Sequence, residues 1–194
     1  MSIEVIKSIR QRTGLPFKDI KKAVDELGTA DEEVIIKKMR EQGVLKQQAR
    51  EGRVASEGGV FSYVHDNNKI GVLLQIKCET DFVARSDDFR QLGSGLALHI
   101  AAMQPKFLSE EEVNSEFIEE ELEIARKQLI GEGKPEDKLE MILKGKRAKI
   151  IKENSLITQE FFKDNNITVQ DLIAQVSQKT GEKIVVDKFI IYTI

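Results

Sequence analysis

At Ala55-Ser56-Glu57-Gly58-Gly59 the pattern of the chain changes, and that change limits the fold more than any other feature of the sequence. Before it, apolar residues recur at helical spacing. After it, Val60 to His65 alternates apolar and polar, Asp66-Asn67-Asn68 offers turn chemistry, and Ile70 to Lys77 is rich in Val, Ile and Leu. Paired glycines break a helix and admit backbone angles that other residues avoid. A β-hairpin therefore follows an all-helical segment. The predicted fold class is α+β, with an N-terminal domain at 1–54 and a core domain at 55–194.

The first segment reads as three short helices. Ser2 is placed to cap a helix carrying Ile3, Ile6 and Ile9, with Thr13-Gly14 as its stop. Pro16 suits the first turn of a second helix, whose stripe is Ile20, Ala23, Val24 and Leu27 and whose end is Gly28. Thr29 and Glu32 form a capping-box pair for a third, bearing Val34, Ile35, Ile36 and Met39 and halted at Gly43. A bundle of fewer than ~50 residues has a marginal core and suits a docking module better than a catalytic scaffold. A charged helical linker, Lys46 to Arg53, joins it to the rest.

Beyond the hairpin, residues 85–103 read as a helix with Phe89, Leu92, Leu96, Ile100 and Met103 on one face, which packs on the sheet before Pro105 ends it. Residues 110–132 and 136–153 are charged helical runs separated by Gly131-Glu132-Gly133-Lys134-Pro135, predicting an antiparallel helical hairpin that projects from the core. A helix near Val169 to Lys179 and a strand from Lys183 to Tyr192 close the chain.

Composition excludes several function classes. The longest nearly apolar stretches, such as Ile70 to Ile76, fall far short of the ~20 residues a membrane-spanning helix needs. Met1-Ser2-Ile3-Glu4 reads straight into a helix without the basic start and apolar stretch of a secretory signal, and the single cysteine, Cys78, fits a reducing compartment; both predict a cytosolic protein. Residues 1–55 carry 12 basic against 9 acidic side chains, and the remainder 18 against 24. So mild a basic excess is too small for a nucleic-acid footprint, and solvated helix faces account for it.

The chemistry of catalysis is missing. His65, His99 and Cys78 offer no paired metal-ligand spacing, no GxSxG elbow occurs, and there is no GxxxxGK[ST] loop to hold a nucleotide. No cofactor or metal is expected, and any nucleotide belongs to a partner. Ser94, between two glycines in a helical pattern, reads as a packing position, and His99 as a half-buried structural residue.

The segment Cys78-Glu79-Thr80-Asp81-Phe82-Val83-Ala84-Arg85-Ser86 lies where a short strand-to-helix turn is expected. Residue chemistry leaves two accounts of it. Thr80, Asp81 or Ser86 could cap the helix while Phe82 and Val83 close the core beneath, or the turn could present a contact.

Lys77 to Arg85 closely resembles the C-[EQ]-T-D-F-V-A signature of elongation factor Ts. Arg10-Gln11-Arg12-Thr13-Gly14 with Asp19-Ile20-Lys21-Lys22-Ala23-Val24 is similar to that family's opening. Gly131 to Pro135, Gly145-Lys146-Arg147 and Gly181-Glu182-Lys183-Ile184-Val185-Val186 resemble further blocks in the expected order. The likeness spans essentially the whole chain.

The resemblance implies a nucleotide-exchange factor for elongation factor Tu, not an enzyme. Its N-terminal three-helix module, similar to a ubiquitin-associated domain, would dock on the GTPase domain, and the turn would intrude near the partner's Mg²⁺. Carried over by position, Asp81 and Phe82 are the intruding pair, flanked by Thr80 and Val83. Arg10, Phe17 and Lys21 are docking candidates, and His65 a further contact candidate. A single hairpin-and-helix unit resembles the short form of the family, which implies a homodimer with the strand ending at Ile194 as a pairing edge. Three rivals follow from the residues: a ubiquitin-associated-type adaptor using the N-terminal module, an RNA binder using that module's basic residues and the Lys144 to Lys152 helix, and an enzyme with Glu79 or Asp81 as acid or base.

Overall fold

A computed structural model describes residues 3–13, 17–39, 41 and 52–194. The expected Ser2 cap, Pro16 start, Gly14 and Gly43 stops and most of the 46–53 linker lie outside them. The chain divides into two compact units, one of residues 1–59, 76–92 and 173–185, the other of 60–75, 93–172 and 186–194.

The first unit contains α1 (Ile3–Thr13), α2 (Phe17–Leu27) and α3 (residues 32–39). Ile6, Ile9, Ile20, Ala23, Val24, Ile35, Ile36 and Met39 form their common core, with Leu27 partly buried against it. Two members of the expected stripes are exposed, Ile3 and Val34. Ile3 stands on the first described turn of α1, and Val34 lies about 100° around α3 from Ile35, on the side that faces water. The start of α3 also differs from the expected Thr29–Glu32 box. Asp31 accepts the Glu33 and Val34 N–H groups at 3.0 and 3.3 Å, Thr29 supports the Asp31 N–H, and Glu32 pairs with Arg12 instead. An ionised carboxylate one residue before the helix outcompetes a hydroxyl placed two residues further out.

Strands β1 (Glu57–Val64), β2 (Ile70–Cys78) and β5 (Val185–Thr193) form a sheet in the order β1-β2-β5. Ile194 donates to the Lys69 carbonyl, so the end of β5 lies beside the start of β2 and the pair is antiparallel. Along β2, Val72, Leu74, Ile76 and Cys78 are buried while Leu73 faces out, the period-2 signature of a sheet covered on one side. Helix α5 (Asp87–Met103) buries Phe89, Leu92, Leu96 and Ile100; Met103, its last residue, is exposed. The packing sites near Ser94 are the flanking glycines, since Ser94 itself is exposed. A Cβ on Gly93 would collide with the Phe61 ring, so glycine at 93 is what lets α5 approach β1 closely.

The helical hairpin is α6 (Ser115–Gly131) and α7 (Glu136–Asn154), sealed by Ala125, Leu129, Leu139 and Leu143 with Leu122 and Ile142. Its first helix starts later than residue 110 because Asn114 accepts the Phe117 N–H at 2.8 Å; residues Glu110–Glu112 form a separate 3-10 turn. Between α7 and α8 (Val169–Thr180) sits a small antiparallel pair that the sequence pattern does not signal, β3 (Glu160–Phe161) with β4 (Asp164–Thr168). His99 is fully buried beside it, against Phe161 and Phe162.

Candidate functional site

Strand β2 ends at Cys78, whose thiol is buried and bonded to the Thr80 carbonyl at 3.2 Å. Burial, with the negative charge of Glu182 nearby, pushes its pKa up to about 11. The chain then makes one helical turn, α4 (Asp81–Ala84), too short to hold itself by its own hydrogen bonds. Thr80, in extended conformation, is its N-cap and accepts the Val83 N–H. Ser86 performs the next cap, donating to the Val83 carbonyl at 2.7 Å and accepting the Phe89 N–H at the start of α5.

Phe82 is not part of the core. It is 83% exposed, whereas Phe89, two turns further on, is 0% exposed and anchors α5. Of the two accounts left open by residue chemistry, Thr80 and Ser86 do cap, but Phe82 does not close the core. Val83 is half-buried and serves as the local footing. Asp81 is partly exposed and pairs with Arg85 at 3.1 Å.

The backbone leading into α4 is held by the loop that follows α8. Glu182 accepts the N–H groups of Glu79 and Thr80 on one oxygen, at 3.1 and 3.0 Å, and the Thr80 hydroxyl on the other, at 2.6 Å. Glu79 returns the interaction, accepting the Lys183 N–H at 2.6 Å and the Arg53 guanidinium at 3.3 Å. Arg53 also donates to the Gly181 carbonyl, its own carbonyl accepts the Lys183 ammonium at 3.1 Å, and the Ser177 hydroxyl donates to the Glu182 carbonyl. Gly181, at φ 81°, turns the chain so that Glu182 faces the turn.

A family model described as Elongation factor TS matches residues 6–194. The chain belongs to the elongation factor Ts family. It is similar to the elongation factor Ts of Fervidobacterium nodosum, 45% identical over 190 residues that cover 98% of this chain and 96% of that one. The protein of the same name from Desulforamulus reducens is 44% identical over 99% of this chain and 88% of its own length. That of Thermosipho melanesiensis is 42% identical over 100% and 98%. As a member of the elongation factor Ts family, the chain serves protein biosynthesis as an elongation factor.

The remaining candidate residues of this elongation factor Ts family member stand on their own elements. Arg10 lies exposed in the last turn of α1, Phe17 opens α2 partly exposed, and Lys21 is exposed on α2. His65 is exposed at the β1–β2 turn, its Nδ1 3.1 Å from the Tyr63 hydroxyl, and belongs to the second unit. Only Thr80 to Val83 are brought together as one feature. Sequence reasoning does not single out Arg53, Glu182 or Lys183, and it names Glu79 only as an acid or base of the enzyme rival, not as part of this hydrogen-bonded support. The Gly181–Val186 block was visible as a resemblance, but no local signal says what a carboxylate there accepts. Among the described residues, no group of three or more His, Cys, Asp or Glu is placed to hold a metal ion, and no helix is long and apolar enough to cross a membrane.

Proposed function

We infer that the chain is a guanine-nucleotide exchange factor for elongation factor Tu. Residues 1–54 dock on the GTPase domain, with Arg10, Phe17 and Lys21 as contacts. The Thr80–Val83 turn of the 55–194 core then disturbs the partner's Mg²⁺ and phosphate site, His65 adding a contact. The observation that carries this reading is the exposure of Phe82 on a turn whose entry and cap are held by hydrogen bonds to Glu182 and Thr80. A large aromatic group displayed on a fixed support is equipped to enter another protein.

The magnitudes agree with a wedge. Burying one phenylalanine contributes about 1.5–3 kcal/mol, or one to two powers of ten in affinity. Because coupling is reciprocal, whatever the inserted group costs the bound nucleotide, the nucleotide costs the factor, and a fresh nucleotide can displace it. Asp81 reaches the Mg²⁺ surroundings by leaving Arg85; an exposed pair of this kind is worth about 0–1 kcal/mol, so its opening is cheap. The diphosphate, less neutralised, then leaves faster. No substrate is transformed, and the factor works in the cytosol without binding nucleic acid or membrane.

The open face of the sheet supports a homodimer. Val60, Val64, Leu73, Ile190 and Tyr192 are exposed there, and a groove of about 400 Å³ runs between Val60, Leu73, Lys188 and Ile190. With β5 at the sheet edge, a second copy of the chain would cover this face. A Leu73→Glu variant should then sediment as a monomer where the parent sediments as a dimer.

The functional test is release of fluorescent GDP from elongation factor Tu with this protein at substoichiometric concentration. Multiple-turnover acceleration is expected. A folded protein that accelerates nothing would overturn the exchange reading and bring forward the adaptor role of the N-terminal module.

A further inference from the structure

Phe82 is 83% exposed, so packing does little to set its direction, which is inherited from the backbone of α4. A helix of four residues cannot supply the rigidity itself, because nucleation costs more than one turn returns. The N–H groups of Glu79 and Thr80 lie at the end of β2, and their acceptor is a carboxylate 103 and 102 positions away in sequence. The second oxygen of that carboxylate takes the proton of the Thr80 hydroxyl. With its proton committed there, the hydroxyl turns a lone pair toward the Val83 N–H, which is the cap of α4.

We propose that Glu182 is a positioning residue for nucleotide exchange, fixing the cap of α4 and with it the angle at which Phe82 is presented. The proposal rests on the reading of Thr80–Val83 as the intruding turn. The arrangement is built for this carboxylate: three donors converge on two acceptor oxygens, and Ser177 fixes the Glu182 backbone from the last turn of α8. A neutral amide keeps one acceptor oxygen and turns an N–H₂ toward Thr80, reversing the hydroxyl. The loop also ties in Arg53, the residue through which the chain enters the core from its N-terminal segment, so the wedge and the tether share one anchorage. Lys183 closes the ring by donating its N–H to Glu79 and its ammonium to the Arg53 carbonyl.

Two readouts separate positioning from mere stability. The first is the rate of GDP release as a function of factor concentration, with its plateau reporting the wedge and its half-saturation reporting docking. The second uses the absence of tryptophan from the sequence: Phe82→Trp places a single fluorophore on the turn, and its anisotropy decay reports how firmly the turn is held in the isolated protein. In Glu182→Ala the plateau should fall about tenfold. Half-saturation should stay within about twofold, and the local motion of the residue-82 fluorophore should widen. Glu182→Gln should lie between parent and alanine variant in both measurements, and it carries the test if the alanine variant does not fold.

A normal plateau in Glu182→Ala, beside a depressed one in Phe82→Ala, would reject the positioning role and leave the wedge standing. A normal plateau in Phe82→Ala would reject the wedge itself; the anisotropy would then decide alone whether Glu182 holds the turn. Loss of plateau together with melting temperature, with unchanged anisotropy in the folded fraction, would reduce Glu182 to a structural residue and overturn the proposal.

Discussion

In the N-terminal bundle the apolar side chains from Ile6 to Met39 meet in a shared core, and charged residues such as Arg12, Glu32 and Glu33 face water. In the turn at 79–86 the arrangement is inverted. The largest apolar group faces water, and polar side chains from distant positions hold the backbone. Burial is non-directional and tolerates small shifts, so it suits a module that needs only to stay folded and show a surface. Hydrogen bonds are directional, so they suit a segment whose exposed aromatic side chain has to point one way.

This contrast can be broken most forcefully at Phe82. Phe82→Ala should lower the plateau rate of GDP release by about 10- to 100-fold, from the ~1.5–3 kcal/mol of lost burial, while the melting temperature moves by less than about 1 °C. A parallel loss of stability would return Phe82 to the core.

The converse holds for Ile20, fully buried in the bundle. Ile20→Ala should cost the module about 2–5 kcal/mol, enough to melt so small a core. Circular dichroism should show the helix loss, and half-saturation in the exchange assay should rise with little change in plateau. A plateau effect would mean that the two regions are not separable.

A third, smaller effect tests whether polar groups elsewhere in the core are equally directional. The His99 Nε2 lies 2.9 Å from the Gln159 carbonyl oxygen, and its Nδ1 accepts the Phe162 N–H at 3.4 Å, an arrangement only the neutral ring satisfies. Burial lowers its pKa below the ordinary 6.5. The unfolded chain then binds the proton more readily, so this contribution is complete above about pH 6.5 and is lost as pH falls toward the folded value. The slope is at most about 1.4 kcal/mol per pH unit. Denaturant titrations between pH 7.5 and 5 should show it, and His99→Gln should flatten it.

The smallest effect belongs to Arg12. It bridges Glu32 at 2.8 Å and Glu33 at 2.6 Å, but on an exposed face, so Arg12→Ala should leave the melting temperature of the module nearly unchanged.

Features set by local chemistry were legible in the sequence. The hairpin of β1 and β2, the stripes of α2 and α5, and the Thr80–Val83 turn followed from period, turn residues and the family resemblance. Choices decided by competition between neighbours were misread. Asp31 displaced Thr29 at the α3 cap, and Gly93 rather than Ser94 takes up the close packing. The short β3–β4 pair carries too few residues for a period to register. The Glu79–Glu182 exchange lay beyond sequence reasoning for a different reason. A carboxylate among charged residues looks solvated until the fold brings its donors from more than a hundred positions away.

The thiol beneath the turn bears on how this factor fares under oxidative stress. Oxidants and electrophiles select cysteines by their thiolate, and a pKa of about 11 leaves about one molecule in ten thousand ionised at pH 7. The thiol that supports Phe82 is thus a poor target for oxidants that select exposed, ionised cysteines, and the support is insulated from them by burial.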